Sequence, residues 1–440
     1  MNLQPSRYNL IGQIRDGDTW YVINPLSGHA DLIDADEAQA LRDNTLAEPD
    51  AYAERGYLVD PEQEQRDYRK AYLNFVERRE TDEVQLLFAV TYACNFACTY
   101  CFQESYAEQV NRFDGDVVGA FFQHIDAQFA GRSKYLTLFG GEPLLPAASV
   151  RVGVEALLRG AAERGIEVAM VTNGYNLVKS LDLLELATIR EVQVTLDGPR
   201  EIHDARRPLR GGQGTFDDVV AGIDAVLAKG IPVNLRAVID RDNLPHLAEL
   251  SRFAIAKGWT SNPLFKTQLG RNYELHTCQA SRSRLYSRLE MYSDLADEID
   301  VHPEILEFHK PSYHLARFLA ESNAVPEPLF DACPGCKTEW AFDAHGRIFP
   351  CTANVGKPGE AIGTYWPESK LDLDQVGHWE DRDVLSMSSC KECALAMVCG
   401  GGCAEVARNA TGDLHAPDCR PVNELVNLGM NVYFKEQYHV

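Results

Sequence analysis

The sequence predicts an α/β fold, because short apolar runs alternate with amphipathic stretches between Val84 and about residue 270. Continuous apolar runs of this length are typical of parallel strands that are buried on both faces. Six such units predict either a barrel or an open sheet, with the chemistry at the carboxyl ends of the strands. The predicted strands are Leu86–Val90, Tyr135–Phe139, Val168–Val171, Val192–Leu196, Val233–Ile239 and Leu264–Leu269.

The intervening stretches have the spacing of amphipathic helices. One has apolar residues at Phe216, Val220, Ile223 and Leu227, and Gly230 is a stop signal after it. Another begins at Asn243 and continues to Gly258. We therefore expect helices to cover the predicted sheet.

Four regions follow from changes in composition. Residues 1–80 predict a small module of strands and helix, with turns at Asp16-Gly17-Asp18 and Ser27-Gly28 and a later strand at Gly56–Val59. Residues 81–270 form the α/β region, and residues 271–330 form a mainly helical bridge. Residues 331–440 are rich in cysteine and glycine, with few long periodic segments. Metal is expected to hold this last region together.

Charge excludes two classes of partner. The 440 residues carry a formal net charge of −23, which disfavours binding to nucleic acid or to an anionic membrane. We find neither a membrane-spanning apolar run nor a secretion signal, so we expect a cytoplasmic protein. Twelve cysteines in a chain of this size then indicate metal or catalytic thiols rather than disulfides.

The first cysteine group directly follows the first predicted strand. Cys94, Cys98 and Cys101 form a C-x3-C-x2-C run. Three thiolates on one tight loop can hold three irons of a [4Fe–4S] cube and leave the fourth iron open. The alternative is a zinc loop, but structural zinc sites have four closed ligands.

This run, with Tyr100 before its last cysteine, resembles the signature of the radical S-adenosylmethionine (SAM) superfamily. The resemblance implies a partial (β/α)6 barrel in which the open iron binds SAM. It also implies that SAM is cleaved to a 5′-deoxyadenosyl radical, which abstracts a hydrogen atom from the substrate. The family receives electrons from a donor such as ferredoxin or flavodoxin.

Motifs at later strand ends add to the resemblance. Gly140-Gly141-Glu142-Pro143 follows the second strand and resembles the family's GGEP segment, which contacts the SAM amino group. Asn173, Thr195 and Arg236 lie at the next strand ends and are candidate SAM ligands, Arg236 through the SAM carboxylate. Strand-end caps and an ordinary ion pair are the alternative for these three residues. His203 belongs to a segment that the family shares, and a structural role is expected for it.

The second cysteine group resembles the SPASM domain, a cysteine-rich domain found in one branch of the superfamily. Gly346 and the spacing of eight cysteines match its pattern. The resemblance implies two auxiliary [4Fe–4S] clusters, and therefore three clusters in all, with interleaved ligands. Zinc ribbons remain an alternative, and Cys278 is unassigned. The implied ligands are Cys333, Cys336, Cys351 and Cys403 for the first auxiliary cluster, and Cys390, Cys393, Cys399 and Cys419 for the second.

The resemblance implies an enzyme that modifies a precursor peptide or a protein. The N-terminal module is similar in pattern to the winged-helix module with which many peptide maturases bind a leader peptide. We therefore expect a peptide maturase that makes a thioether or carbon–carbon cross-link. One alternative is a sulfatase-maturing oxidase, but Thr352 stands where those enzymes typically carry an aspartate. The other is a non-enzymatic metal-binding scaffold.

Overall fold

The computed structural model describes residues 3–14, 17–101, 103, 113–271 and 284–434. Cys278 therefore lies outside the described residues. The strands are β1 (Gln4–Pro5), β2 (Leu10–Gln13), β3 (Thr19–Asn24), β4 (His29–Asp34), β5 (Leu58–Val59), β6 (Val84–Ala89), β7 (Lys134–Phe139), β8 (Val168–Thr172), β9 (Ile189–Thr195), β10 (Val233–Ile239), β11 (Phe265–Arg271), β12 (Glu339–Asp343), β13 (Arg347–Phe349), β14 (Gly363–Thr364) and β15 (Lys370–Leu371).

The α-helices are α1 (Ala35–Asp43), α2 (Pro49–Glu54), α3 (Pro61–Thr81), α4 (Gly115–Gln128), α5 (Ala148–Glu163), α6 (Leu181–Leu184), α7 (Arg200–Arg206), α8 (Phe216–Ala228), α9 (Leu247–Ala256), α10 (Arg288–Val301), α11 (Ile305–Phe308), α12 (Ala316–Ser322), α13 (Leu373–Glu380), α14 (Ser388–Lys391), α15 (Ala396–Cys399), α16 (Ala404–Thr411) and α17 (Val422–Phe434). Within the described ranges, no helix combines the length and the apolar character needed to span a bilayer.

A ten-stranded sheet is the centre of the molecule. Its order is β11-β10-β9-β8-β7-β6-β12-β13-β14-β15, and the six strands from β6 to β11 are all parallel. Those six strands are the six predicted from the apolar runs, so the α/β prediction is confirmed. Because all six run in the same direction, their carboxyl ends meet at one edge.

Successive residues of the central strands belong to two different apolar clusters. Leu86 and Phe88 of β6 join the large core that also contains residues of the helices. Leu87 and Ala89 join a second cluster with Phe139 and with residues of β12 and β13. Because side chains alternate across a strand, the second cluster marks the face opposite the helices.

Helix α8 differs in detail from its predicted apolar stripe. Phe216 and Ile223 are buried as expected, but Val219 and Val226 are buried more deeply than Val220 and Leu227. Both sets satisfy a helical repeat, so the sequence alone favours neither.

The cysteine-rich region shares the central sheet. Strand β12 pairs in parallel with β6, which places a strand from beyond residue 331 directly beside the first strand of the α/β region. Trp340, Phe342 and Trp379 are buried there, and the region ends in the 13-residue helix α17. The sequence led us to expect that metal holds this region together, and the structure adds apolar contacts as a further support. Short strands that complete the sheet supply its apolar contacts.

The N-terminal residues form a three-stranded antiparallel sheet in the order β2-β3-β4, followed by α1, α2 and α3. Strand β4 was not predicted, because its residues His29–Asp34 include two aspartates and a histidine. The aromatic rings of Tyr68, Tyr72 and Phe75 on α3 pack around Phe330. The module thus contacts the start of the cysteine-rich region.

Candidate functional site

The backbone of residues 94–101, here named the cysteine loop, is anchored to the segment that follows α7. The amides of Ala97 and Thr99 donate to the carbonyls of Pro208 (2.8 Å) and Arg206 (3.0 Å). The Arg210 amide donates to the carbonyl of Asn95 (2.9 Å). The loop begins five residues after β6 ends, at the carboxyl edge of the parallel strands. Its conformation therefore depends on the connection between β9 and β10.

A polar network fixes Tyr100 within this loop. Its hydroxyl donates to Asp197 Oδ2 (2.6 Å) and accepts from Arg207 Nη1 (2.5 Å). The other oxygen of Asp197 accepts from the Val238 amide at 2.8 Å, and Arg206 donates to Asp240 at 2.7 Å. The loop is thereby tied to the ends of both β9 and β10.

The three thiols of the cysteine loop lie together and differ in exposure. Cys101 is exposed, whereas Cys94 and Cys98 are partly buried. Burial, together with the nearby Glu142, Cys98 and Cys101, raises the pKa of Cys94 to about 12. A bare thiolate is therefore unfavourable here, whereas an iron ion would compensate its charge.

Glu142 of the GGEP segment turns inward. Its fully buried carboxylate accepts from the amides of Leu144 (2.8 Å) and Asn173 (2.7 Å) and from the Thr172 hydroxyl (2.7 Å). Burial raises its pKa, and these hydrogen bonds oppose that rise. In this structure the carboxylate joins the end of β7 to the end of β8.

The two glycines of that segment allow it to approach the cysteine loop closely. A Cβ on Gly140 would lie 2.4 Å from the Thr91 carbonyl oxygen, and one on Gly141 would lie 2.1 Å from that of Ala93. The Gly140 φ of +133° also favours glycine. The two glycines thus allow a close approach to the protein's own backbone beside Cys94.

Asn173, Thr195 and Arg236 line the same edge. The side-chain amide nitrogen of Asn173, Nδ2, donates to Asn95 Oδ1 (2.8 Å) and lies 3.8 Å from Cys94 Sγ. Thr195 and Arg236 are direct neighbours in the pairing of β9 with β10. Arg236 Nε is buried without a hydrogen-bond partner and packs against Gly270. An unpaired guanidinium nitrogen at this edge suits an anionic group such as the SAM carboxylate.

His203 has a structural environment. Its Nδ1 accepts from the Asp197 amide (3.3 Å), and its Nε2 lies 3.1 Å from the Thr215 hydroxyl. Burial lowers its pKa to about 4, so the ring is neutral at pH 7. The ring supports the segment that anchors the cysteine loop.

The C-terminal thiols fall into two sets. Burial, then Glu339, then the thiols of Cys333 and Cys403 raise the pKa of Cys351. Cys333 likewise raises the pKa of Cys336, after burial and Glu380. We name Cys333, Cys336, Cys351 and Cys403 the first C-terminal group.

The remaining four thiols are mutual neighbours. Burial raises the pKa of Cys390 to about 11, and the thiols of Cys399, Cys419 and Cys393 add to the rise. These four cysteines form the second C-terminal group. The two groups contain the same residues as the two ligand sets expected from the sequence. All eleven described cysteines are free thiols. Among the described residues, no three His, Cys, Asp or Glu side chains are arranged to hold a single metal ion.

Two site features were not singled out from the sequence. Asn95 and Arg207 hold the cysteine loop, and only their nearness to the motif was a signal. Glu339 on β12 accepts from the Thr352 amide (3.0 Å) and lies near Cys351. Its link to Thr352 spans 13 residues across a hairpin, and no motif records it.

Comparison with known proteins agrees with this geometry. Residues 88–254 match the model of the radical SAM superfamily. The AdoMet-dependent heme synthase of Nitratidesulfovibrio vulgaris is 24% identical over 341 residues, which cover 74% of this chain and 89% of that protein. The mycofactocin maturase MftC of Mycobacterium tuberculosis is 26% identical over 359 residues, covering 78% and 83%.

Two solved structures share the fold. Native anSMEcpe with bound AdoMet and the Cp18Cys peptide has a TM-score of 0.60 at 16% identity, covering 80% of this chain and 97% of that one. SuiB of Streptococcus suis bound to the precursor peptide SuiA has a TM-score of 0.53 at 16% identity, covering 95% and 99%. The strand-end cysteine loop, the parallel sheet and the family match lead to one conclusion: residues 88–254 of this chain form a radical SAM domain.

Proposed function

We propose that the enzyme is a peptide maturase with three [4Fe–4S] clusters, and that it forms a cross-link in a ribosomally made peptide. The observation that carries the proposal is the sorting of the eleven thiols among the described residues into one set of three and two sets of four. A set of three leaves one iron of a cube open, whereas a set of four closes it.

When bound, the cluster of the cysteine loop and SAM supply a 5′-deoxyadenosyl radical, which removes a hydrogen atom from the substrate. The residues of this chain position these groups. Arg236 offers its unpaired Nε to the SAM carboxylate. Glu142 keeps the GGEP backbone beside the cysteine loop through Asn173. Gly140 and Gly141 hold that backbone near Cys94 and present it to the SAM amino group.

The peptide substrate is supported by two observations. SuiB, which shares the fold, is bound to a precursor peptide, and MftC is named as a maturase. The N-terminal sheet has the three-stranded form with which a leader peptide can pair as an added strand. Its strand β4 is an edge strand of that sheet.

A sulfatase-type oxidase is the second candidate, and a specific contact favours it. Thr352 replaces the aspartate that such enzymes typically carry after this cysteine, yet Glu339 places a carboxylate 3.0 Å from the Thr352 amide. A carboxylate is therefore present beside Cys351, supplied by the neighbouring strand.

Anaerobic incubation with SAM, dithionite and a candidate peptide distinguishes these proposals. A maturase gives 5′-deoxyadenosine together with a peptide that has lost two hydrogens and contains a cross-link in tandem mass spectra. A formylglycine product would instead react with a hydrazide probe. Protein without peptide is the control for uncoupled SAM cleavage. Absence of 5′-deoxyadenosine from fully reconstituted protein would contradict both candidates.

A further inference from the structure

We propose that Arg382 is a positioning residue shared by both C-terminal cysteine groups, where it fixes their loops and supplies a buried positive charge that sets the reduction potentials of their clusters. The inference rests on the proposed function, because it takes these two groups as the ligands of auxiliary clusters. It adds a residue that no cysteine motif contains.

The Arg382 guanidinium is fully buried and donates to four backbone carbonyls of the described residues. Its Nε donates to Leu414 (2.7 Å), and its Nη1 donates to Gly402 (3.2 Å). Its Nη2 donates to Gly401 (3.0 Å) and Ala416 (3.1 Å). Four carbonyls on one planar fork define the positions of two separate loops.

Those loops carry ligands of both groups. Gly401 and Gly402 lie between Cys399 of the second C-terminal group and Cys403 of the first. Leu414 and Ala416 precede Cys419 of the second group. In these loops a ligand of one group is followed in sequence by a ligand of the other. The Arg382 side chain therefore links the segments that carry both ligand sets.

The glycines are required for this arrangement. Gly401 and Gly402 have φ values of +73° and +71°. A Cβ on Gly402 would lie 2.2 Å from the Asp418 carbonyl oxygen, and one on Gly401 would lie 2.1 Å from Met387 Cε. The left-handed backbone allows both carbonyls to reach Arg382.

The charge of Arg382 has no local carboxylate partner. Among the described residues, no acidic side chain lies within salt-bridge distance of its guanidinium. The neighbouring Asp383 accepts instead from the Tyr72 hydroxyl (2.7 Å) and from the Leu385 amide (2.8 Å). The nearby buried Lys337, in contrast, pairs with Asp331 at 2.5 Å. An unpaired buried cation is costly unless an anion lies nearby.

The thiols are the candidate anions. Arg382 bonds the carbonyl of Gly402, which directly precedes Cys403 of the first group, and that of Gly401, which lies two residues after Cys399 of the second. A cube ligated by four thiolates carries net negative charge, and reduction makes that charge larger. A buried cation on the loops that carry the ligands of both groups would therefore favour the reduced states of such cubes and raise both potentials.

The test compares Arg382→Met with Arg382→Lys in the anaerobically reconstituted full chain. Lysine keeps the charge but cannot bond four carbonyls, whereas methionine removes both. Arg408→Met is the matched control, because Arg408 is a half-buried arginine of the same region that pairs with Glu360 and Glu405. The measurements are iron per chain, the thermal midpoint and the potentials from an electron paramagnetic resonance titration.

We expect Arg382→Met either to lose about eight of about twelve irons or to keep them with both auxiliary potentials shifted negative. Arg382→Lys should retain more iron than Arg382→Met, with a smaller shift, and Arg408→Met should leave the potentials unchanged. Unchanged potentials in an iron-replete Arg382→Met, or equal iron loss in the lysine and methionine variants, would overturn the charge role. Wild-type protein that binds only about four irons would instead overturn the proposed function.

Discussion

The cysteine loop and the C-terminal cysteine groups differ in how the protein holds their thiols. The loop places three cysteines within eight residues, leaves Cys101 exposed, and is anchored by polar contacts to the segment after α7. The C-terminal groups draw on residues far apart in the chain and lie within a partly apolar, partly glycine-rich region. Among the thiols of the C-terminal groups only Cys419 is exposed, as Cys101 is in the loop. The two regions therefore differ mainly in how their thiols are brought together and anchored, and not in whether one thiol is exposed.

The largest expected effect comes from removing one of the three thiols of the cysteine loop. Cys98→Ala should reduce 5′-deoxyadenosine formation to background, because a cube with two protein ligands is not retained. The C-terminal groups should keep their iron, about eight per chain. Iron analysis and liquid chromatography measure both outcomes. Thr99→Ala, at an exposed position of the same loop, is the control. Retained SAM cleavage in Cys98→Ala would refute the assignment of this loop.

Removing a thiol from one of the two C-terminal groups should separate SAM cleavage from product formation. Cys390→Ala removes a buried thiol of the second C-terminal group, and we expect loss of cross-linked peptide with measurable 5′-deoxyadenosine remaining. The reason is that the cysteine loop and its anchors lie elsewhere in the structure. Mass spectrometry of the peptide and quantification of 5′-deoxyadenosine give the ratio. Ser389→Ala is the neighbouring exposed control, and a Cys390→Ala variant with normal product yield would contradict the account.

Arg236 tests whether the carboxyl edge of the parallel strands binds SAM beside the cysteine loop. Arg236→Met should weaken SAM binding by about 10- to 100-fold, since a hydrogen bond to a charged group contributes about 1.5–3 kcal/mol. Isothermal titration of SAM into the reconstituted protein measures the dissociation constant. Lys266→Met removes a cation on the adjacent strand that pairs with Glu191, and it should change SAM affinity little. Equal effects of the two variants would reject a specific carboxylate contact.

The smallest expected effect concerns His203, which supports the segment that anchors the cysteine loop. His203 is buried with a pKa of about 4, below its usual value near 6.5. A lowered folded-state pKa means that its stabilising contribution is present above pH 6.5 and is lost as the pH falls towards 4. Protonation of His203 should therefore lower the free energy of unfolding by about 2 kcal/mol when the pH falls from about 7 to about 5.

Urea unfolding of the apoprotein at these two pH values measures that loss. His203→Gln should be less stable at pH 7 but should lose less stability on acidification than the wild type. Other buried histidines titrate too. The comparison is therefore between the slopes of unfolding free energy against pH for the wild type and for His203→Gln. Identical slopes would show that His203 contributes nothing to the pH dependence.

The sequence allowed the central sheet to be predicted because its strands are buried on both faces and are continuously apolar. It did not predict β4 or β12, since one is polar and lies at a sheet edge and the other mixes charged with aromatic residues. The ligand sets of the cysteines were expected from the resemblance to the SPASM domain, and they stay a prediction. The contacts of Glu339 with Thr352 and of Arg382 with four carbonyls were not expected, because they join residues distant in sequence and leave no local pattern.

One spectroscopic titration addresses the open iron most directly. SAM is added to the reduced, fully reconstituted enzyme while the electron paramagnetic resonance spectrum is recorded, with the Cys98→Ala protein measured in parallel. The account predicts that SAM alters the signal of a single cluster in the wild type and alters nothing in the variant. A spectrum indifferent to SAM in the wild type, or an identical response in the variant, would contradict it.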